Sequence, residues 1–271
     1  MAVNVNIIAD SVNPNGERIT TFELEYPRMI HSEVLTHRDF SRNASSSRAI
    51  PIMKMLKQVW FNMAYPAHWG KKQRGMQADN EVNPLVKVLA KAIWWTAGML
   101  VSGLVGILNL LGVHKQVANR MLEPWTHIKV VLTATKLDNW FNLRLHKDAQ
   151  PEIYLLAYLM KEALAESTPT QLAWNEWHLP YVTLADKQRY TLEETKQIST
   201  SSCAQVSYRV LNTALTQAIK IYGMLVKAEV FHASPFEHPA QATNDNGSGN
   251  FTGTGWTQYR YYIEQELYKG T

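Results

Sequence analysis

His37 to Arg48 reads His-Arg-Asp-Phe-Ser-Arg-Asn-Ala-Ser-Ser-Ser-Arg, a short run that gathers a histidine, arginines and serines. Arg38, Arg42 and Arg48 offer planar forks suited to phosphate oxygens, and Ser41, Ser45, Ser46 and Ser47 add short neutral donors beside them. Such a set binds anions. A solvated basic loop would have the same composition, so spacing and the rest of the chain must decide between the two.

The elements that position this run are legible in part. Residues 3 to 9 and 19 to 26 are β-rich and flank the turn-forming Asn13-Pro14-Asn15-Gly16, which predicts a hairpin. Thr20 to Tyr26 alternates apolar and polar side chains, the period of a half-buried strand, and Pro27 ends it. Arg28 to Thr36 should then be a helix delivering the basic run. Met55, Leu56, Val59, Trp60 and Met63 recur at helical spacing before Pro66, predicting a core helix over 52–65. Trp69 to Gln77 is Gly-bounded and basic, and Lys71, Lys72 and Arg74 read as a surface loop within reach of a phosphate.

Residues 92 to 113 carry no charge, a length that permits a membrane span. Asn109 and the small residues Gly98, Ser102, Gly103 and Gly106 argue instead for a helix buried in an oligomer core. A β-branched strand follows over Ile128 to Thr135, then an amphipathic helix from Leu155 to Ala165. Residues 167 to 197, with Trp174, Trp177, His178 and Pro180, have the look of an inserted lid. The Gly- and Asn-rich run 243–255 reads as a mobile loop and, with no strand before it, not as a dinucleotide fingerprint.

With 271 residues, 46% of them apolar, the chain can bury one large core without disulfides. The lone Cys203 suits a reducing compartment. The start resembles no signal peptide, so the cytoplasm is the expected location. A net charge of +4 without a lysine-rich tail places the basicity at a small-molecule pocket, with neither nucleic acid nor membrane as partner. No spacing of His, Cys and carboxylates suggests a metal site.

The spacing of Thr36, His37, Arg38, Ser41, Asn43, Ser46 and Arg48 resembles the signature of the flavin-dependent thymidylate synthases, Arg-His-Arg-x-x-Ser-x-Asn-x-x-Ser-x-Arg, with Thr36 in place of the leading Arg. Arg48-Ala49-Ile50-Pro51 is similar to the branch of that family seen in phages. Asn139-Trp140-Phe141-Asn142-Leu143-Arg144 followed by Ala149-Gln150-x-Glu152-Ile153 resembles the second signature, over 139–153. A third block, Cys203 to Tyr208 and His232-Ala233-Ser234-Pro235-Phe236-Glu237-His238, resembles one the family usually carries first, so the order is permuted here. Permutation is tolerated where termini lie close together, and it predicts that the C-terminal segment packs beside residues 20–48.

The resemblance implies one domain over 1–271 of α+β class, helices packed around a small, mostly antiparallel sheet, in a homotetramer with active sites between subunits. It implies FAD as cofactor, dUMP as substrate, and methylene-tetrahydrofolate and NADPH as co-substrates. Thr36, His37, Arg38, Asn43, Asn139, Ser234 and Glu237 would hold FAD, and His232 would lie at the flavin face. Ser45, Ser46, Ser47, Arg48 and Arg120 would bind dUMP, with Arg144 stabilising negative charge on the pyrimidine of a neighbouring subunit. Arg28 looks like the arginine the family carries before its signature. Cys203, with no base beside it, is not needed as a nucleophile.

Thr36, Ala44, Thr133, Thr135 and Asp148 depart from the family pattern. Related chemistry on dCMP, hydroxymethylation of dUMP, and a non-catalytic nucleotide- or RNA-binding relative therefore stay open.

Overall fold

A computed structural model describes residues 3–207 and 211–269. Tyr208, the end of the Cys203 to Tyr208 block, lies outside the described residues. The hairpin expected at the start is present as β1 (Asn4–Val12) and β2 (Arg18–Pro27). Its turn closes because Asn13 Oδ1 accepts from the amides of Asn15 and Glu17, both at 3.1 Å, while Gly16 takes φ +83° without a steric cost.

A first 3-10 turn, Arg28–Ile30, and α1 (His31–Val34) lead to β3 (Ser41–Ala44). The long helix expected over 28–36 is thus two short turns. Then come α2 (Ile52–Phe61), α3 (Pro84–Leu110), α4 (Lys115–Ala118), a 3-10 stretch over Asn119–Trp125 and β4 (His127–Ala134). The chain continues through α5 (Asp138–Arg144), α6 (Pro151–Glu166), β5 (Thr170–Gln171) and β6 (Trp177–His178). It ends with α7 (Leu184–Arg189), α8 (Leu192–Ala204), α9 (Leu215–Val226), β7 (Ala240–Ala242), β8 (Trp256–Gln258) and α10 (Tyr259–Leu267).

The main sheet runs β3-β4-β2-β1-β5 and is antiparallel except where β5 joins β1. This is the α+β architecture the sequence led us to expect. Register sorts the two faces. Phe22, Leu24 and Tyr26 lie opposite Leu132, Val130 and Ile128, and all six point at Trp140 of α5 and Ile153, Leu156 and Met160 of α6. The other face carries Thr21 and Thr133, and it is covered by the C-terminal part of the chain.

There a buried polar chain forms. Ser11 Oγ meets His178 Nδ1 at 2.9 Å, His178 Nε2 meets Thr21 Oγ1 at 2.8 Å, Thr21 meets Thr133 at 2.7 Å, and Thr133 meets His238 Nδ1 at 2.9 Å. Burial pushes both histidines down to about 3, so each stays neutral; His178 bonds through both ring nitrogens, whereas His238 bonds through Nδ1 and keeps its Nε2 buried without a partner. Thr133 joins Thr21 to His238 in this chain.

One expectation is corrected. Residues 167–197 are not a lid: β6 joins β7 and β8 in a second, antiparallel sheet, and Trp177 is buried against Tyr259 and Tyr262 with the Lys196 ammonium 4.8 Å from its ring. The single chain leaves most of α3 exposed. Asn83 caps it, and of its residues only Gly98, Ser102 and Val105 are buried, Gly98 letting the helix approach Met63 and Trp125. Leu85, Ile93, Leu100, Leu104, Ile107 and Leu110 are 45–86% exposed. It is also the one helix among the described residues long and apolar enough to cross a membrane.

Candidate functional site

The basic run is held more firmly than a surface loop would be. β3 pairs with β4, the Ser45 amide donates to the Lys129 carbonyl at 2.8 Å, and Ser45 Oγ accepts from the Lys129 amide at 3.1 Å. Buried Asn119 donates to the carbonyls of Ser47 and Ile50 at 2.7 and 2.8 Å. Arg42 also acts inward: Nη1 donates to the carbonyls of Val34 and His37, each at 3.0 Å. Two groups expected to face an anion, the Arg42 fork and the Ser45 hydroxyl, are therefore partnered within the fold.

α5 brings the second signature to the first. Trp140 packs edge-on to His37, ring centroids 4.7 Å apart. One turn on, Arg144 Nε donates to His37 Nε2 at 3.1 Å, Nη1 pairs with Glu33 at 3.4 Å, and Nη2 reaches Thr36 Oγ1 at 3.4 Å. Burial, with the charges of Arg144 and Arg42, lowers the His37 pKa, which keeps its Nε2 lone pair available to Arg144. Arg144 does not take Asp148 as its partner; His146 does.

Arg144 and Glu33 line a cavity of about 1050 Å³ whose other walls include Met29, Gln77, Asp79 and Glu152. The loop over 70–79 is thus a wall of this cavity, while Lys71, Lys72 and Arg74 on it are exposed. A protonated guanidinium at such a mouth can stabilise an anion that develops on a bound ring.

The C-terminal block reaches the same loop from the other side, as the permuted order predicts. Ser234 Oγ donates to Asn43 Oδ1 at 3.4 Å, and Asn43 Nδ2 donates to the Cys203 carbonyl at 2.6 Å. Ser41 Oγ accepts from Gln258 and Asn250 at 2.8 and 3.2 Å. Glu237 pairs with Arg260 at 2.6 Å. Burial pushes the Cys203 thiol well up from its usual range, so it stays protonated.

A third cluster lies where β2 meets the loop. Ser47 Oγ donates to Glu123 Oε1 at 2.6 Å, and Arg120 Nη1 donates to the same oxygen at 3.1 Å. Arg28 Nη2 donates to the Ser45 carbonyl at 3.3 Å, while its Nε is buried without a partner.

The structure thus brings together Thr36, His37 and Arg144; Asn43 and Ser234; and Ser47 and Arg120. Arg38, Arg48, Asn139 and His232 are exposed and outside these clusters. Glu33 and Glu123 were not singled out by sequence reasoning, because a carboxylate beside a basic signature carries no spacing of its own. Among the described residues no group of His, Cys and carboxylates could hold a metal.

Residues 18–170 match the family described as thymidylate synthase complementing protein. A search of curated proteins returns no match. Among solved structures, the chain is similar to a UMP/dUMP methylase, PolB from Streptomyces cacaoi, bound with 5-Br dUMP. That likeness has 16% identity and a TM-score of 0.49, and it covers 61% of this chain and 90% of that one. The same protein bound with 5-Br UMP gives 15% identity, a TM-score of 0.49, and 61% and 89% coverage. The family match spans more than half of the chain and contains both the loop and Arg144, and on that ground the protein belongs to the thymidylate synthase complementing protein family.

Proposed function

We propose that the protein is a flavin-dependent thymidylate synthase that converts dUMP to dTMP with methylene-tetrahydrofolate and NADPH. The observation that carries this reading is the meeting of Arg144, which lines a large cavity, with His37 and Thr36 of the signature loop. The residues present offer a flavin polar groups for its ring edge, but none of those assigned to it lines this cavity: Asn43 and Ser234 meet on the other side of the loop, and Glu237 borders a smaller cavity of about 290 Å³. Thr36, His37, Arg38, Asn43, Asn139, Ser234 and Glu237 would hold FAD, which when bound supplies the reducing chemistry.

The chain itself supplies orientation and charge. The Arg144 guanidinium stabilises the pyrimidine anion, neutral His37 and the Glu33 carboxylate hold it in place, and Ser46, Ser47, Arg48 and Arg120 take the nucleotide's phosphate and sugar. His232, on the surface, would serve the reductant's approach. No thiol takes part, since Cys203 is buried and protonated.

A flavin absorbance spectrum with a dUMP-dependent oxidation assay tests the proposal. Yellow protein that turns over dUMP supports it. Colourless protein that FAD does not reconstitute points to a non-catalytic nucleotide- or RNA-binding relative. Mass spectrometry of products from dUMP and dCMP separately tells methylation from hydroxymethylation, and dUMP from dCMP.

The same proposal places the outward face of α3 between subunits. Leu85, Ile93, Leu100, Leu104, Ile107 and Leu110 expose more contiguous apolar surface than a monomer ordinarily shows to water, with no charge among residues 92–113. A membrane span would pull the 119–125 stretch packed on α3, with Arg120 and Glu123, into hydrocarbon. Sedimentation of the wild type should show an oligomer, and Leu100→Glu with Ile107→Glu should yield monomer. A monomeric wild type, or protein found only in membranes, would overturn this placement.

A further inference from the structure

The Glu123 carboxylate sits where an anionic ligand would. Its Oε1 accepts from Ser47 Oγ at 2.6 Å and from Arg120 Nη1 at 3.1 Å, donors from the signature loop and from the 3-10 stretch after α4. Arg28 stands close enough to feel the charges of both Glu123 and Arg120. It is largely removed from water, is engaged only by the Ser45 carbonyl at 3.3 Å, and keeps its Nε buried and unpartnered.

Burying a guanidinium without a bonded carboxylate is costly, and folds tolerate it where an anion will complete the set. Charge supports the same reading. Two guanidiniums face one carboxylate, so the cluster is one negative charge short, whereas a phosphate monoester dianion would balance both and offer three oxygens to the donors.

We propose that Arg28 completes the phosphate site already assigned to Arg120 and Ser47, and that Glu123 is a resident counter-ion which the incoming phosphate displaces. The proposal rests on the reading that a nucleoside monophosphate is the substrate, and it adds Arg28 and Glu123 to the residues that handle it. Glu123 holds the donors in place in the free protein and keeps the site from being an unpaired cationic pit. When phosphate arrives, Ser47 Oγ and Arg120 Nη1 exchange a carboxylate oxygen for phosphate oxygens, Arg28 Nε gains its missing acceptor, and Glu123 turns to solvent. The chain thus sets its own threshold for the ligand: a weakly held monoanion is not enough to displace the carboxylate, and a dianion is.

Titration calorimetry on the full chain with inorganic phosphate, dUMP and deoxyuridine tests this, with thermal melts as a fold control. Glu123→Gln keeps the shape and removes the competing charge, so it should tighten phosphate and dUMP by about tenfold and leave deoxyuridine unchanged. Arg28→Met should weaken phosphate and dUMP by more than about tenfold, and Arg28→Lys should recover only part of that loss, because the fork is gone. If dUMP binds and folded Glu123→Gln binds it no better than wild type, this inference falls while the proposed function stands. If dUMP does not bind but phosphate does, with the same response to both variants, the anion site stands and the nucleotide reading falls. Wild-type affinity for phosphate in folded Arg28→Met would overturn the role of Arg28 even should Glu123→Gln fail to fold.

Discussion

Arg144 is oriented by His37 and Thr36 of the signature loop and by Glu33 of α1, each through a different atom of its fork, so its direction is set before any ligand enters. Replacing it by Ala should leave flavin bound, because the Asn43–Ser234 side of the site is untouched, and lower turnover by about 10²–10³-fold. The ratio of flavin to protein absorbance and the steady-state rate check the two halves separately. Loss of both together would make Arg144 a cofactor holder instead. The sequence displayed the donors of this loop but not which of them the fold consumes. Arg42 and Arg48 look equivalent in the chain, yet Arg42 closes the turn by reaching the Val34 and His37 carbonyls, whose convergence depends on a backbone path that no spacing reveals.

Elements with a strong local pattern behaved as their periods required. The alternation over Thr20 to Tyr26 became β2 with every even residue from Phe22 on the helical side, and the β-branched run became β4. Elements decided by tertiary partners did not. The helix expected over 28–36 is a 3-10 turn followed by α1, which ends at Val34, whose carbonyl Arg42 captures, and α2 stops at Phe61, where the expected helix ran on to Tyr65. The 167–197 segment has no period of its own, because its strand β6 exists only by pairing with β7, far along the chain.

Two substitutions probe these contacts. At Gly98 a Cβ would lie 2.7 Å from Met63 Cε and 2.9 Å from Trp125 Cδ1, so Gly98→Leu should cost about 1–3 kcal/mol in urea unfolding. Asn119→Ala removes both bonds that hold the loop at Ser47 and Ile50 and leaves two carbonyls wanting donors. It should cost about 2–4 kcal/mol, at about 1–2 for each bond, and lower nucleotide affinity in the same calorimetric assay.

At the scale of the whole molecule, buried histidines tie stability to pH, His31, His178 and His238 most strongly. Burial, aided by Arg28 and Arg42, brings His31 from 6.5 down to about 4, and burial brings His178 and His238 to about 3. Each folded value lies below the unfolded one, so the unfolded chain binds more protons in between. Their contribution is fully present above about 6.5 and is lost as pH falls toward 3. Thermal midpoints taken from pH 7 to pH 4 should fall steadily, and a His178→Gln protein should show a shallower slope; identical slopes would mean that His178 is not held neutral. The motif order hinted that the C-terminal block returns to the loop, but the hydroxyl chain that fixes it was not legible, since Ser11, Thr21 and Thr133 are ordinary strand residues until two imidazoles arrive.

That return imposes a timetable on biosynthesis. The residues that anchor Ser41 and Asn43, namely Cys203, Ser234, Asn250 and Gln258, leave the ribosome long after the loop itself. A nascent chain halted near residue 170 would carry every residue of the family match and still lack the groups that grip the loop. The newborn enzyme acquires a working ligand cradle only once residue 258 has been added.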